Sequence, residues 1–372
     1  MIAKKGEIVY SNNFGYRTID KKIAYEKDAI FRLASMTKAF TTVSIMQLYD
    51  KGLLKLDDSI AKFIPAFEKA VVLKDFYEKD SSFTTVPAKK QITIRNLLTH
   101  TSGLTYGSSS SEVGAIYTKL GIANFGLFDA ETTTEQMVDR IAKVPLLFEP
   151  GTKYSYGISM DVLGRVIEVI SKKTLSEYFK ENIFTPLGMK DTHFYLPKEK
   201  HSRLVPVYSY NENKEMIMGE DTPFGVFLEY PKKEDKLHYA GGGGTSGTGT
   251  DYLIFTQALL NKGIYNGKRI VSEKAIKEIT TDQMVLINKK GNGFSKISGF
   301  TYGLGFSLLT EEARGISKKS PGTFEWGGYF NTKFFIDPEQ ELVFVGLTQI
   351  VSFHHPDFWD KMINIIYEST ED

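Results

Sequence analysis

Cysteine is absent from all 372 residues. That excludes disulfides, thiol nucleophiles and thiolate metal ligands, and it leaves the compartment open. A surplus of one charge sign is also missing. Lys and Arg number 46 against 45 Asp and Glu, a formal net charge of +1, so neither nucleic acid nor an acidic membrane surface is an expected partner. No apolar run approaches the length of a membrane span. The six histidines include no H-E-x-x-H pair, and His354-His355 are adjacent rather than one helical turn apart, so no metal site and no metal cofactor are expected. No G-x-S-x-G elbow occurs, which closes the α/β-hydrolase route to a serine nucleophile. The opening Met1-Ile2-Ala3-Lys4-Lys5-Gly6-Glu7 has lysines but no apolar stretch after them, and it does not read as a signal peptide.

What is present is the composition of a soluble globular protein, 41% hydrophobic and 24% charged, long enough for one large domain or two. The 32 glycines, 20 tyrosines and 26 phenylalanines predict many turns and an aromatic-rich core or pocket. Residues 7–10 read as a strand, with 14–19 as its hairpin partner. A helix beginning near Ser35 carries Phe40, Val43, Met46 and Tyr49 at helical spacing and stops at Gly52. Further helices are expected at 92–100, 134–144, 160–171, 175–183, 251–261, 272–280 and 358–367. Strands are expected at 303–309, 323–326, 333–337 and 342–347, the last two joined by a hairpin turn. Residues 105–112 and 197–240 read as loops. Strands cluster at both ends and helices in the middle. The predicted fold is therefore α+β, one antiparallel sheet formed by both chain ends and flanked by helices. Residues 1–59 and 241–372 would form the sheet subdomain, and 60–240 a mostly helical insertion, with the active site in the cleft between them.

Ser35-Met36-Thr37-Lys38 carries the strongest chemical signal. Serine and lysine three residues apart share one helix face, one turn apart. A serine hydroxyl needs a neighbouring base, and a helix start favours a developing alkoxide. The second copy, Ser59-Ile60-Ala61-Lys62, reads as an N-cap serine opening a short surface helix. Gly242-x-Gly244-x-x-Gly247 matches a dinucleotide pattern, but no apolar parallel strand leads into it, so it reads as a backbone turning tightly beside a pocket. His100, before Thr101-Ser102-Gly103, reads as a structural hydrogen-bonding residue. Tyr154 follows Pro150-Gly151-Thr152 and, taken alone, reads as a structural tyrosine on a turn. The glycines of Trp326-Gly327-Gly328-Tyr329 weaken a strand and mark a place where something, such as a substrate carbonyl, approaches the backbone.

Taken together and in order, these pieces resemble the serine β-lactamase and penicillin-binding-protein-like superfamily, in its class C-like esterase branch. The resemblance runs through Ser35-Met36-Thr37-Lys38, Leu97-Leu98-Thr99-His100-Thr101-Ser102-Gly103-Leu104 and Pro150-Gly151-Thr152-Lys153-Tyr154-Ser155. It continues through Pro186-Leu187-Gly188-Met189, the glycine run before Asp251, and Trp326-Gly327-Gly328. It implies Ser35 as acylated nucleophile, Lys38 as base or proton relay, and Tyr154 as second member of the base pair. The backbone N–H groups of Ser35 and Tyr329 would form an oxyanion hole, and Tyr156, Trp326, Gly327 and Gly328 would contact substrate. No cofactor is implied, and the partner is a small-molecule ester or amide.

Three departures refine this expectation. Tyr156 stands where the second motif usually has asparagine. Trp326-Gly327-Gly328 replaces a Lys-Thr-Gly whose cation would pair with a β-lactam or D-Ala carboxylate. The first strand begins almost at Met1, where the family opens with a helix, so a cytoplasmic place and, given an absent beginning, export are both open. The first two point to a serine hydrolase, a carboxylesterase for short or medium acyl esters. The alternatives are a β-lactamase or D-amino-acid peptidase, an acyltransferase, and a catalytically silent binding protein on the same scaffold.

Overall fold

Lys5 and Gly6 both take positive φ, 53° and 83°, the pair that a primed two-residue hairpin turn requires. In the computed structural model, which describes residues 1–122, 132–219, 228–233, 237–294, 299–351 and 357–369, that turn folds Ile2–Lys4 (β1) onto Glu7–Tyr10 (β2). The partner of β2 therefore precedes it. The stretch expected as its partner instead gives Tyr16–Thr18 to a separate ribbon with Ile23–Ala24. From the other end come Phe300–Tyr302 (β3), Ser307–Leu309 (β4), Phe324–Gly328 (β5), Thr332–Asp337 (β6) and Leu342–Gly346 (β7). The sheet runs β3-β4-β5-β6-β7-β1-β2, antiparallel at every pairing. Both chain ends thus build one sheet, as expected of this α+β fold, and the Met1 ammonium donates to the Val345 carbonyl at 2.7 Å. The single strand expected at 303–309 is a hairpin instead. Gly305 has φ +76°, and the Gly303 N–H donates to the Phe306 carbonyl at 2.9 Å, closing a turn.

Helices pack on both faces of the sheet. Thr37–Asp50 (α1) packs on Ser159–Ser171 (α2), while Gly249–Leu260 (α3) packs on β6 and β7. Every residue of α1 from Thr37 to Leu48 is buried, as expected of a helix this apolar, and a helix enclosed on all sides is central. Phe40 shows why, because its ring meets Phe255 at 4.5 Å, Phe184 at 5.2 Å and Tyr252 at 5.4 Å, and Tyr252 meets Phe334 of β6 at 5.1 Å. Phe40→Ala is expected to destabilise the protein by about 3–5 kcal/mol. An unchanged thermal midpoint would show that α1 is not the anchor of the fold. On the other face, Ile363, Ile366 and Tyr367 of Phe358–Glu368 (α4) pack on Phe335, Leu342 and Phe344.

Between α1 and α3 the described residues hold more than helices. Val71–Tyr77 pairs with Ser82–Pro87, and Tyr208–Tyr210 with Met216–Met218. Residues 105–112, expected as a loop, instead form the turn Gly107–Ser109 and open the helix Ser111–Lys119, because the Ser110 side chain accepts from the Val113 N–H. At the second Ser-x-x-Lys, Ser59 Oγ caps Ile60–Lys62 by accepting from Ala61 N–H at 3.2 Å, and exposed Lys62 pairs with Asp58 at 2.9 Å. That copy is a surface N-cap. His354-His355 and parts of 197–240 lie outside the described residues. No helix among the described residues is long and apolar enough to cross a membrane.

Candidate active site

Ala34 is a non-glycine residue at φ +46°, a strained conformation that surrounding structure must hold in place. It opens the one-turn 3₁₀ segment Ala34–Met36, which runs into α1. Ser35 therefore stands on a short lead-in to α1, and Lys38 on the first turn of the helix itself. Neighbouring bonds fix this lead-in: Leu33 N–H donates to the Thr245 carbonyl at 3.0 Å, and the Thr37 and Thr245 hydroxyls meet at 2.7 Å.

The glycine run 241–244 lies between α1 and α2. A Cβ on Gly241 would stand 2.6 Å from the Met160 carbonyl oxygen, and one on Gly242 would stand 2.6 Å from Asp161 Oδ2. None of the four has positive φ. The chain turns tightly here, as expected, with the Gly243 and Gly244 N–H groups both donating to the Ala240 carbonyl, at 3.2 and 2.9 Å, and the close approach of α2 is a second reason for glycine at 241 and 242. Thr41 Oγ1 donates to the Gly241 carbonyl at 2.7 Å, tying the run to α1.

Lys38 is wholly buried. Its Nζ donates to Ser35 Oγ at 3.1 Å, to Tyr106 Oη at 3.1 Å and to the Gly242 carbonyl at 2.5 Å. It also lies 4.8 Å from the ring centre of Tyr156. Tyr156 Oη donates to Ser35 Oγ at 2.7 Å. The serine oxygen is thus held between one amine and one phenol.

That phenol is not Tyr154, and the assignment of Tyr154 as second member of the base pair is corrected. Its hydroxyl is buried with no hydrogen-bond partner among the described residues, and its ring packs on Phe294 at 5.2 Å, Tyr302 at 5.3 Å and His100 at 5.9 Å. Burial, then the neighbouring Tyr156, pushes its hydroxyl well above the usual phenol range. Tyr154 and Tyr156 stand two residues apart on the segment that leads into α2, and only the second reaches Ser35. A sequence signal distinguishes them. Gly157 follows Tyr156 where the backbone passes Thr105 so closely that a Cβ would stand 2.3 Å from its Cα.

His100 positions this second motif, as the structural reading expected. Its carbonyl accepts from Ser155 N–H at 2.8 Å, its Nδ1 from Gly157 N–H at 3.4 Å, and its ring packs on Tyr156 at 4.8 Å. Burial, reinforced by Lys38, holds its pKa well below the ordinary imidazole value, so it stays neutral. Trp326 closes the opposite wall. Its Nε1 donates to Tyr156 Oη at 3.4 Å, and its ring lies 5.4 Å from those of Tyr156 and Tyr302. A Cβ on Gly328 would stand 2.5 Å from the Leu33 carbonyl oxygen and 3.5 Å from Ala34 Cβ, and one on Gly327 would stand 2.7 Å from the Thr332 carbonyl oxygen. The end of β5, and Tyr329 after it, therefore run beside the residues that precede Ser35.

Two residues of this site carried no chemical reading in the sequence. Tyr106 sat in the stretch read as a loop; burial and then Tyr156 raise its hydroxyl well above the usual range, so it remains a phenol. Asp161 has no chemical motif around it in its apolar helix, and its signal is its position: an acid flanked by Ile158, Met160, Val162 and Leu163, all buried.

The sequence profile of the Beta-lactamase family matches residues 1–362. An uncharacterized protein of Mycobacterium tuberculosis is 31% identical over 366 residues, covering 96% of this chain and 85% of its own. The lovastatin esterase of Penicillium rubens is 28% identical over 362 residues, 93% of this chain and 86% of its own. Among solved structures, EstCE1, described as a hydrolase with promiscuous acyltransferase activity, superposes with a TM-score of 0.80 at 26% identity, covering 98% of this chain and 92% of its own.

Proposed function

This chain belongs to the Beta-lactamase family, and from that premise we propose that it is a serine hydrolase forming an acyl-enzyme on Ser35, a carboxylesterase for short or medium acyl esters. The observation that carries the reading is the double contact on one oxygen, Lys38 Nζ at 3.1 Å and Tyr156 Oη at 2.7 Å from Ser35 Oγ. In the resting arrangement both groups donate to that oxygen. For attack, the cluster must first have lost one proton, a property of the group rather than of either member. Ser35 Oγ then bonds to the ester carbonyl carbon while its proton passes to the Lys38–Tyr156 pair. The oxyanion is taken up by the N–H groups of Ser35 and Tyr329. Collapse breaks the carbon–oxygen bond, and the departing alkoxide recovers the proton. Water, deprotonated by the same pair, releases the acid and restores the serine.

Neutral esters fit better than anionic amides. Trp326 offers an apolar wall at the third motif, and Lys319 and Lys333 are engaged away from it, binding Glu325 at 2.5 and 3.2 Å. Glu325 precedes Trp326 and so faces the other side of the sheet. The expected result is turnover of p-nitrophenyl butyrate with kcat/KM at least about a hundredfold above that for nitrocefin, together with a single fluorophosphonate adduct mapped to Ser35 by mass. Comparable nitrocefin turnover would favour the β-lactamase alternative, and no adduct would favour the silent binding protein. The likeness to EstCE1 motivates one further arm: partition of the acyl group to an added alcohol would make the protein an acyltransferase as well.

A further inference from the structure

The reaction above leaves one buried acid unused. Asp161 lies in the first turn of α2, 2% exposed, where the helix dipole favours a carboxylate. Its Oδ1 accepts from Gly242 N–H at 3.0 Å, and its Oδ2 faces the Gly242 α-carbon. The carbonyl of that same glycine accepts from Lys38 Nζ at 2.5 Å. One residue is thus gripped by the acid at its N–H and by the lysine at its carbonyl. The three hydrogen bonds of Lys38 go to a serine, a tyrosine and a peptide carbonyl, none of them a carboxylate. A buried ammonium needs a countercharge within reach.

Resting on the reading of Ser35 as nucleophile, we propose that Asp161 is a positioning residue for acylation: from behind the glycine run it fixes the Gly242 carbonyl that receives Lys38 and supplies the negative charge that balances the proton held by Ser35, Lys38 and Tyr156. The groups facing it are Lys38 from α1, His238 from the segment before the glycine run, Tyr106, and Tyr117 from Ser111–Lys119. Burial raises the Asp161 pKa, opposed first by Lys38, then by the Gly242 N–H and His238. Its charge in turn adds to the upward push on Tyr106 and Tyr117.

A fixed negative charge makes the cluster hold its proton more tightly, so removing the charge lets the proton leave at lower pH. In Asp161→Asn the acid limb of kcat/KM for p-nitrophenyl butyrate should move down by about one pH unit, while the plateau stays within about threefold because the amide oxygen still accepts from Gly242. Asp161→Ala should show the same limb shift and a further plateau loss of about tenfold. Gly242→Ala provides a second route, since its methyl would displace the carboxylate from 2.6 Å; the limb should move in the same direction even where Asp161→Asn does not fold. Lower activity or stability with the limb unmoved in the folded variants would reduce Asp161 to a structural residue and overturn the proposal. Absence of ester turnover in the wild type overturns instead the reading on which it rests.

Discussion

Ser35→Ala is expected to lower kcat/KM for p-nitrophenyl butyrate by at least about a thousandfold, with the fold retained. The methyl replaces the oxygen that Lys38 Nζ and Tyr156 Oη converge upon, and both keep other partners: Lys38 still reaches Tyr106 and Gly242, and Tyr156 still receives Trp326 Nε1. The scaffold therefore loses little while the acyl acceptor disappears, and the fluorophosphonate adduct should vanish with it. Ser59→Ala is the matched control. Its hydroxyl caps a surface turn, so the change should cost about 0.5–2 kcal/mol of stability and leave turnover untouched. Ester hydrolysis surviving in Ser35→Ala, or lost in Ser59→Ala, would mean the nucleophile has been misassigned.

Local signals read well wherever the chain had only its own neighbours to satisfy. The i, i+3 spacing of Ser35 and Lys38 put both on one site because a helical turn dictates it, and the β6–β7 pairing follows from two β-rich runs flanking a turn. Elsewhere the decisive contact came from far along the sequence. β2 was matched to the wrong partner because Lys5-Gly6, with both φ positive, is a weaker sequence signal than Ser11-Asn12-Asn13, while the pairing of β1 with β7 holds the opening turn in the sheet. The four glycines at 241–244 announced the tight turn that the bonds to the Ala240 carbonyl close, but the approach of Met160 and Asp161 from α2 came from far along the chain and was not legible. Asp161 itself was illegible in role because its partner, Gly242, lies 81 positions away.

The pair Tyr156→Phe and Tyr154→Phe tests the point at which sequence and structure part. Each removes one hydroxyl from a buried or half-buried ring on the same short segment before α2, so the two variants are closely matched. Tyr156→Phe removes a group 2.7 Å from Ser35 Oγ; the loss of a positioned acid–base group predicts a fall in kcat of about 10²–10⁴-fold, with KM little changed. Tyr154→Phe deletes a buried hydroxyl that has no partner among the described residues, and removing such a group is neutral or stabilising by about 1 kcal/mol. Its turnover should stay within a few-fold of wild type, with the thermal midpoint equal or higher. The reverse pattern, activity retained in Tyr156→Phe and lost in Tyr154→Phe, would require the segment to shift by two residues in solution and bring Tyr154 to Ser35. That shift would also carry Gly157 away from Thr105 and set a side chain where only 2.3 Å separates a Cβ from its neighbour. The steric cost of the alternative register and the kinetic outcome of the two variants thus bear on one question, and the close approach at Gly157 weighs against the shifted register.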